Sequence, residues 1–196
     1  MTLSSDQYAP RGLDAMLIVY SLLGNHPASA VCEAFIRERA SWFTTTLTLL
    51  EAKAILTKVY AANANLVSQR LSQFSVGPIE IIEVDLSITL AAMQIADTLE
   101  IDMTDAVLLQ AARIRGANIL ATDDRKLVHA CNQVDIAVEN PIDTQLRRQM
   151  ASWESENLPQ KGLPRILSRI HQWLEQNHQQ AAEDFWCQTG GGSHLP

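Results

Sequence analysis

A three-layer α/β/α domain with a central, mostly parallel sheet, followed by a helical C-terminal extension, is the architecture this sequence predicts. Three observations carry that expectation. Short apolar or β-branched runs alternate with longer stretches whose apolar residues recur at helical spacing, the pattern of the strand–helix units that build parallel sheets. A composition of 47% hydrophobic and 19% charged residues over 196 positions can fill the core of one ordinary domain with an extension. Acidic residues also stand repeatedly where a strand would hand over to a helix: Asp14, Glu51, Asp105 and the Asp123-Asp124 pair.

Residues Ala15 to Leu23 and Ala28 to Arg39 read as helices, the second with Val31, Ala34 and Phe35 at helical spacing and Pro27 near its start. The stretch Gln7 to Gly12 ahead of Asp14 is not an apolar strand, and Pro10 confines it to an edge or an irregular entry. Trp42-Phe43-Thr44-Thr45 is aromatic and β-branched, hence a strand. Thr46 or Thr48 is expected to cap the following helix, through Tyr60, and Asn63 the next, through Phe74, since such side chains accept from the free N–H groups of a first turn. Gly77-Pro78 breaks the chain before the strand Ile79 to Val84, and Asp85 or Ser87 opens a helix Leu86 to Leu99. Thr104 precedes a helix Asp105 to Arg115 that Gly116 ends. Strand Asn118 to Ala121, a short helix Arg125 to Cys131 and strand Ile136 to Val138 complete the alternation.

The character changes after Asn140-Pro141, dividing the chain into a domain of residues 1–143 and an extension of residues 144–196. Gln145 to Ser155 and Arg165 to Gln188 read as helices separated by a Pro- and Gly-containing linker from Pro159 to Pro164, and Gly190-Gly191-Gly192 lies near the end. Ile166, Ile170, Trp173 and Leu174 form an apolar stripe that needs a partner surface.

Several function classes are excluded by what is missing from the sequence. No apolar run approaches the ~20 residues of a membrane span, and the start has neither the basic nor the apolar part of a signal peptide, so a cytoplasmic protein is expected. Cys32, Cys131 and Cys187 are far apart and odd in number, which fits neither a disulfide framework nor a zinc site. His26, His129, His171, His178 and His194 are expected at the surface and away from any chemistry. A glycine-rich phosphate loop and a Gly-x-Ser-x-Gly elbow are both absent. A net charge of −7 does not advertise a nucleic-acid binder, although Arg113, Arg115, Arg125, Lys126, Arg147 and Arg148 could line a cleft.

The carboxylates are the informative feature. In an open parallel sheet, side chains at the carboxyl ends of strands converge although they are far apart in sequence. Three or four acids gathered there repel one another, and divalent cations relieve that repulsion; oxygen-only ligation favours Mg²⁺ or Mn²⁺ over zinc.

Four pieces in order, Leu13-Asp14 before an apolar helix, Leu50-Glu51, Thr104-Asp105-Ala106 with Ala111-Ala112, and Thr122-x-Asp124-x-x-Leu127, resemble the PIN-domain nucleases, especially the bacterial toxins of the VapC family. The resemblance runs from Leu13 to about Asp143. It implies a PIN fold and an endoribonuclease dependent on Mg²⁺ or Mn²⁺. Asp14, Glu51, Asp105 and Asp124 would be the metal-holding and catalytic residues, with Thr122 and Asp123 around them. The motif selects Asp124 over Asp123, which otherwise reads as a solvated turn residue. An RNA substrate and an antitoxin protein are the partners implied, while the apolar stripe of the extension is expected to pack on the domain or across a homodimer interface. Pro10 and Met16, the latter where the family has a small polar residue, depart from the pattern, and the alternative expectation is a degraded PIN-like module that acts through protein contacts. A phosphate-accepting receiver domain, a third reading, lacks an identifiable acceptor Asp and partner Lys.

Overall fold

The structure, a computed structural model, describes residues 9–158 and 163–188, with the backbone alone at 163–165 and 187. Expectations placed on Gln7 and Tyr8, most of the linker after Leu158, the Cys187 side chain, His194 and the glycine run lie outside the described residues.

Five short parallel strands form one sheet in the order β3-β2-β1-β4-β5: β1 (Arg11–Leu13), β2 (Trp42–Thr45), β3 (Glu80–Ile82), β4 (Ile119–Ala121) and β5 (Ala137–Glu139). Between them run α1 (Ala15–Leu22), α2 (Ser29–Arg37), α3 (Thr46–Lys58), α4 (Ala64–Ser75), α5 (Leu86–Leu99), α6 (Met103–Arg115) and α7 (Arg125–Gln133). Crossovers between parallel strands are right-handed, so those stepping from β1 to β3 lay α1–α4 on one face. Those returning from β3 past β1 to β5 lay α5–α7 on the other. The three layers expected from the sequence are present. Phe43 and Leu120 meet Ile88, Ala92, Val107 and Leu127 in the core of the second face, where the small side chains of Ala106, Ala111 and Ala112 let α6 lie close to the sheet.

The central strand is the one the sequence conceals. Arg11-Gly12-Leu13 carries a single apolar side chain, yet all three residues are buried and β1 pairs with both β2 and β4. The stretch is therefore a central strand and not an edge. Arg11 tolerates burial because its Nε lies 3.5 Å from Glu139 Oε1 and an Nη donates to the Ala9 carbonyl at 3.1 Å. A Cβ at Gly12 would stand 1.9 Å from Leu120 Cδ2 and 3.0 Å from Phe43 Cζ, so any larger residue would have to displace those side chains. Pro10 precedes the strand, where its missing N–H costs no ladder bond.

Helix starts follow capping chemistry. Asn63 Oδ1 accepts from the N–H groups of Asn65 and Leu66 at 3.0 and 3.1 Å, and Asp85 Oδ1 accepts from Ile88 at 2.8 Å. Two starts differ from expectation. Thr45, and not Thr46 or Thr48, caps α3, accepting from the Thr48 N–H at 3.1 Å, because the helix begins directly after the last strand residue. Helix α6 begins at Met103, with Asp102 and not Thr104 at its N-cap.

Histidine 26 corrects another expectation: it is 3% exposed, stacked on Tyr20 at 5.0 Å, and its Nδ1 accepts from the Ala28 N–H at 3.3 Å. Burial pushes the Cys32 and Cys131 thiols up to about 12, with Asp123 adding for Cys32 and Asp105 for Cys131, so neither is a thiolate at neutral pH.

Contacts divide the chain into residues 1–146 and 147–196, a boundary inside α8 (Thr144–Asn157). In the second unit α9 (Leu163–Asn177) and α10 (Gln179–Gln188) pack together, with the His171 ring 4.8 Å from that of Trp186. The sequence predicts one helix across this region; it breaks at His178, whose ring stands 5.4 Å from Trp173. Ile166, Ile170 and Trp173 are exposed. Among the described residues no helix is long and apolar enough to cross a membrane.

Candidate active site

Strand order reverses at β1: the chain steps from β1 through β2 to β3 on one side, then returns to β4 on the other. The carboxyl ends of β1 and β4 therefore flank the crevice where open α/β sheets place their sites. Asp14 directly follows β1 and Thr122-Asp123-Asp124 follow β4, and the pairing of Leu13 with Ala121 brings the two turns side by side. The Asp14 N–H donates to the Ala121 carbonyl at 3.1 Å.

Asp14 is held from both oxygens. As N-cap of α1 its Oδ1 accepts from the Ala15 N–H at 2.5 Å, and its Oδ2 accepts from the Thr122 hydroxyl at 2.8 Å. The same hydroxyl oxygen of wholly buried Thr122 accepts from the Asp124 N–H at 3.0 Å, so one side chain sets both acids. Asp124 caps α7, its Oδ1 accepting from Lys126 and Leu127 at 2.6 and 3.1 Å. Glu51 lies in the second turn of α3, which leaves the end of β2, and Asp105 in the first turn of α6, where the helix dipole favours an anion.

The electrostatics show which acids the fold brings together. Burial first, then the charges of Asp14, Asp124, Glu51 and Asp102, push the Asp105 carboxyl up to about 7 from 3.8. Burial lifts Asp14 to about 6, against the hydrogen bonds from Thr122 and Ala15, with Asp124 and Asp123 adding. Glu51 is raised by burial and by Asp14, a hydrogen bond from Thr104 opposing, with Asp102 and Asp124 adding. Asp14, Glu51, Asp105 and Asp124 thus lie in one another's fields. Asp123 is engaged elsewhere, accepting from Asn140 Nδ2 at 2.9 Å. Asp102 went unnoticed in the sequence. It occupies an N-cap, makes no side-chain cap bond and adds charge to Glu51 and Asp105; an acid three residues before Asp105 was the available signal.

Among the described residues no three His, Cys, Asp or Glu side chains stand in a closed ligand set. The chemistry of the donors still suits a hard divalent cation: they are oxygens only, anionic and mutually repelling, with Asp14, Glu51 and Asp105 partly or fully buried and Asp124 exposed. No cationic side chain is among the groups that shift these three carboxyls.

Of the basic residues expected to line a cleft, Arg113 and Arg115 sit in the last turn of α6, at the opposite end of that helix from Asp105, and Arg115 pairs with Glu80. Arg147 and Arg148 belong to the second unit. Arg125 and Lys126 open α7 directly after Asp124, and both are exposed.

No curated protein matches the chain significantly. Among solved structures the fold resembles VapC20 of Mycobacterium tuberculosis, described as a sarcin-ricin loop cleaving toxin, with a TM-score of 0.53 at 14% identity over 61% of this chain and 94% of that one. It also resembles FitAcB of Neisseria gonorrhoeae, with a TM-score of 0.51 at 21% identity over 67% of this chain and 97% of the other. At such identities the likeness speaks for the fold. A PIN-domain family model matches residues 13–132, more than half of the sequence and the whole stretch that carries the four acids, and the chain therefore belongs to the PIN-domain family.

Proposed function

We propose that the chain is an endoribonuclease dependent on Mg²⁺ or Mn²⁺ that acts as the toxin of a toxin–antitoxin pair in the cytoplasm. The observation that carries the reading is the mutual repulsion of Asp14, Glu51, Asp105 and Asp124 at the switch point of a PIN fold. Asp14, Asp105 and Asp124 are the residues that hold the cation, and Glu51 is a further ligand or the group that orients the attacking water. The chemistry a cation would supply there is acidification of a water molecule and neutralisation of charge developing on the scissile phosphate. Thr122, donating to the Asp14 carboxylate and accepting from the Asp124 N–H, keeps Asp14 and the Asp124 turn in one register.

An antitoxin protein as partner is supported by family membership and by the fold shared with a toxin. A second copy of the chain is supported by α5. Leu86, Leu90 and Met93 are 72%, 54% and 48% exposed on one stripe of that helix. The helix carries no charge from Leu86 to Ala96, so two chains of net charge −7 meet there with little repulsion.

The test is cleavage of labelled RNA by the full chain. Cleavage is expected with Mg²⁺ or Mn²⁺, to stop with a chelator, and to fall about 100-fold or more in Asp105→Asn, which removes charge at nearly constant size. A protein that binds the cation yet cuts no RNA offered to it would instead be a binding module.

A further inference from the structure

Helix dipoles favour cations at the last turn and disfavour them at the first. Three helices of the first unit follow this: Arg37 ends α2, Lys58 ends α3, and Arg113 and Arg115 end α6. Helix α7 breaks the pattern. It opens with Arg125 and Lys126, and among α1–α7 no other helix carries a cation in its first turn. Both side chains are exposed, and among the described residues neither forms an ion pair. Nor does either figure among the groups that shift Asp14, Glu51 or Asp105, so they are not seated as counter-charges to the acids. Among α1–α7 the rule is broken only at this helix, beside a candidate site, and such a departure marks a functional demand.

We infer that Arg125 and Lys126 bind backbone phosphates of a single-stranded RNA next to the bond that is cut. The inference rests on the ribonuclease reading and adds the residues that grip the substrate. A chain of net charge −7 with an acidic crevice repels a polyanion, and cations at the rim supply the local attraction that admits it. Their position one and two residues after Asp124, whose carboxylate caps the same helix, fixes them to the turn that carries the acid.

The experiment measures binding of a labelled, mixed-sequence single-stranded RNA to the full chain in Mg²⁺ over a range of salt, in the cleavage-silent Asp105→Asn background. Adding Arg125→Gln and Lys126→Gln together is expected to weaken binding about tenfold and to flatten the slope of log affinity against log salt by about 1.4, or 0.7 per phosphate contact. Arg113→Gln, at the far end of α6, should change neither. The melting temperature of the double variant should hold or rise, since removing cations from a helix start relieves the dipole conflict. Unchanged affinity and slope would overturn the inference and leave the ribonuclease reading standing. A loss of affinity that comes with a lower melting temperature would also overturn it, by showing that the cations support the fold. No RNA binding by the background protein, together with no cleavage by the unmodified chain, would remove the ribonuclease reading itself.

Discussion

Replacing Asp14 with asparagine should change how the metal-free protein's stability depends on pH. Asp14 is 5% exposed and its carboxyl is raised from 3.8 to about 6, chiefly by burial. The folded state therefore binds more protons than the unfolded state between those values, and stability falls as pH rises through that window. A shift of that size makes Asp14 cost about 2 kcal/mol more at pH 8 than at pH 4.5. Asparagine keeps a cap for α1 and cannot ionise. The hydrogen bond weakened at Thr122 costs ~1 kcal/mol at both pH values and cancels from the difference. Removing the charge also relaxes Asp105 and Glu51, both of which feel Asp14, so the difference is at least about 2 kcal/mol. Urea unfolding in a chelator at the two pH values measures it. Stability curves that run parallel for the wild type and Asp14→Asn would refute the reasoning, because the carboxyl would then not be strained.

Mg²⁺ or Mn²⁺ at pH 8 should raise the melting temperature of the wild type and leave Asp14→Asn and Asp105→Asn nearly unmoved, a contrast visible by calorimetry. Gly12→Ala should destabilise by about 1–3 kcal/mol, since its Cβ displaces the wholly buried Leu120 side chain; an unfolding midpoint equal to the wild type would contradict the packing described. If two chains pair through α5 as proposed, Leu90→Glu should leave only monomer in sedimentation while changing stability of the fold by no more than about 0.5 kcal/mol, since Leu90 is exposed within its own chain.

The sequence was legible where local chemistry decides the outcome. Asn63 and Asp85 announce α4 and α5 because an unpaired first turn demands an oxygen, and Gly116, at φ 61°, ends α6 because the left-handed cap suits glycine. It was opaque where distant residues decide. Arg11-Gly12-Leu13 becomes a central strand only because Glu139 pairs with Arg11 and Leu120 covers Gly12, partners more than 100 residues away. The break at His178 carries no Pro or Gly to signal it. Four acids near helix starts were visible in the sequence, although Asp105 follows α5 and not the strand expected before it, and Glu51 lies in the second turn of α3. That Asp14 and Asp124 share one threonine, and that Asp102 joins their field, depends on β4 returning beside β1, which no local pattern encodes.

Titration of Mn²⁺ into the full-length, metal-stripped chain at pH 8, followed by calorimetry, tests the central claim most directly. The account predicts saturable binding that Asp14→Asn and Asp105→Asn each weaken by about 10–100-fold or more, while Asp97→Asn, on α5 outside the cluster, leaves it unchanged. Equal affinity in all four proteins, or no binding by the wild type, would contradict it.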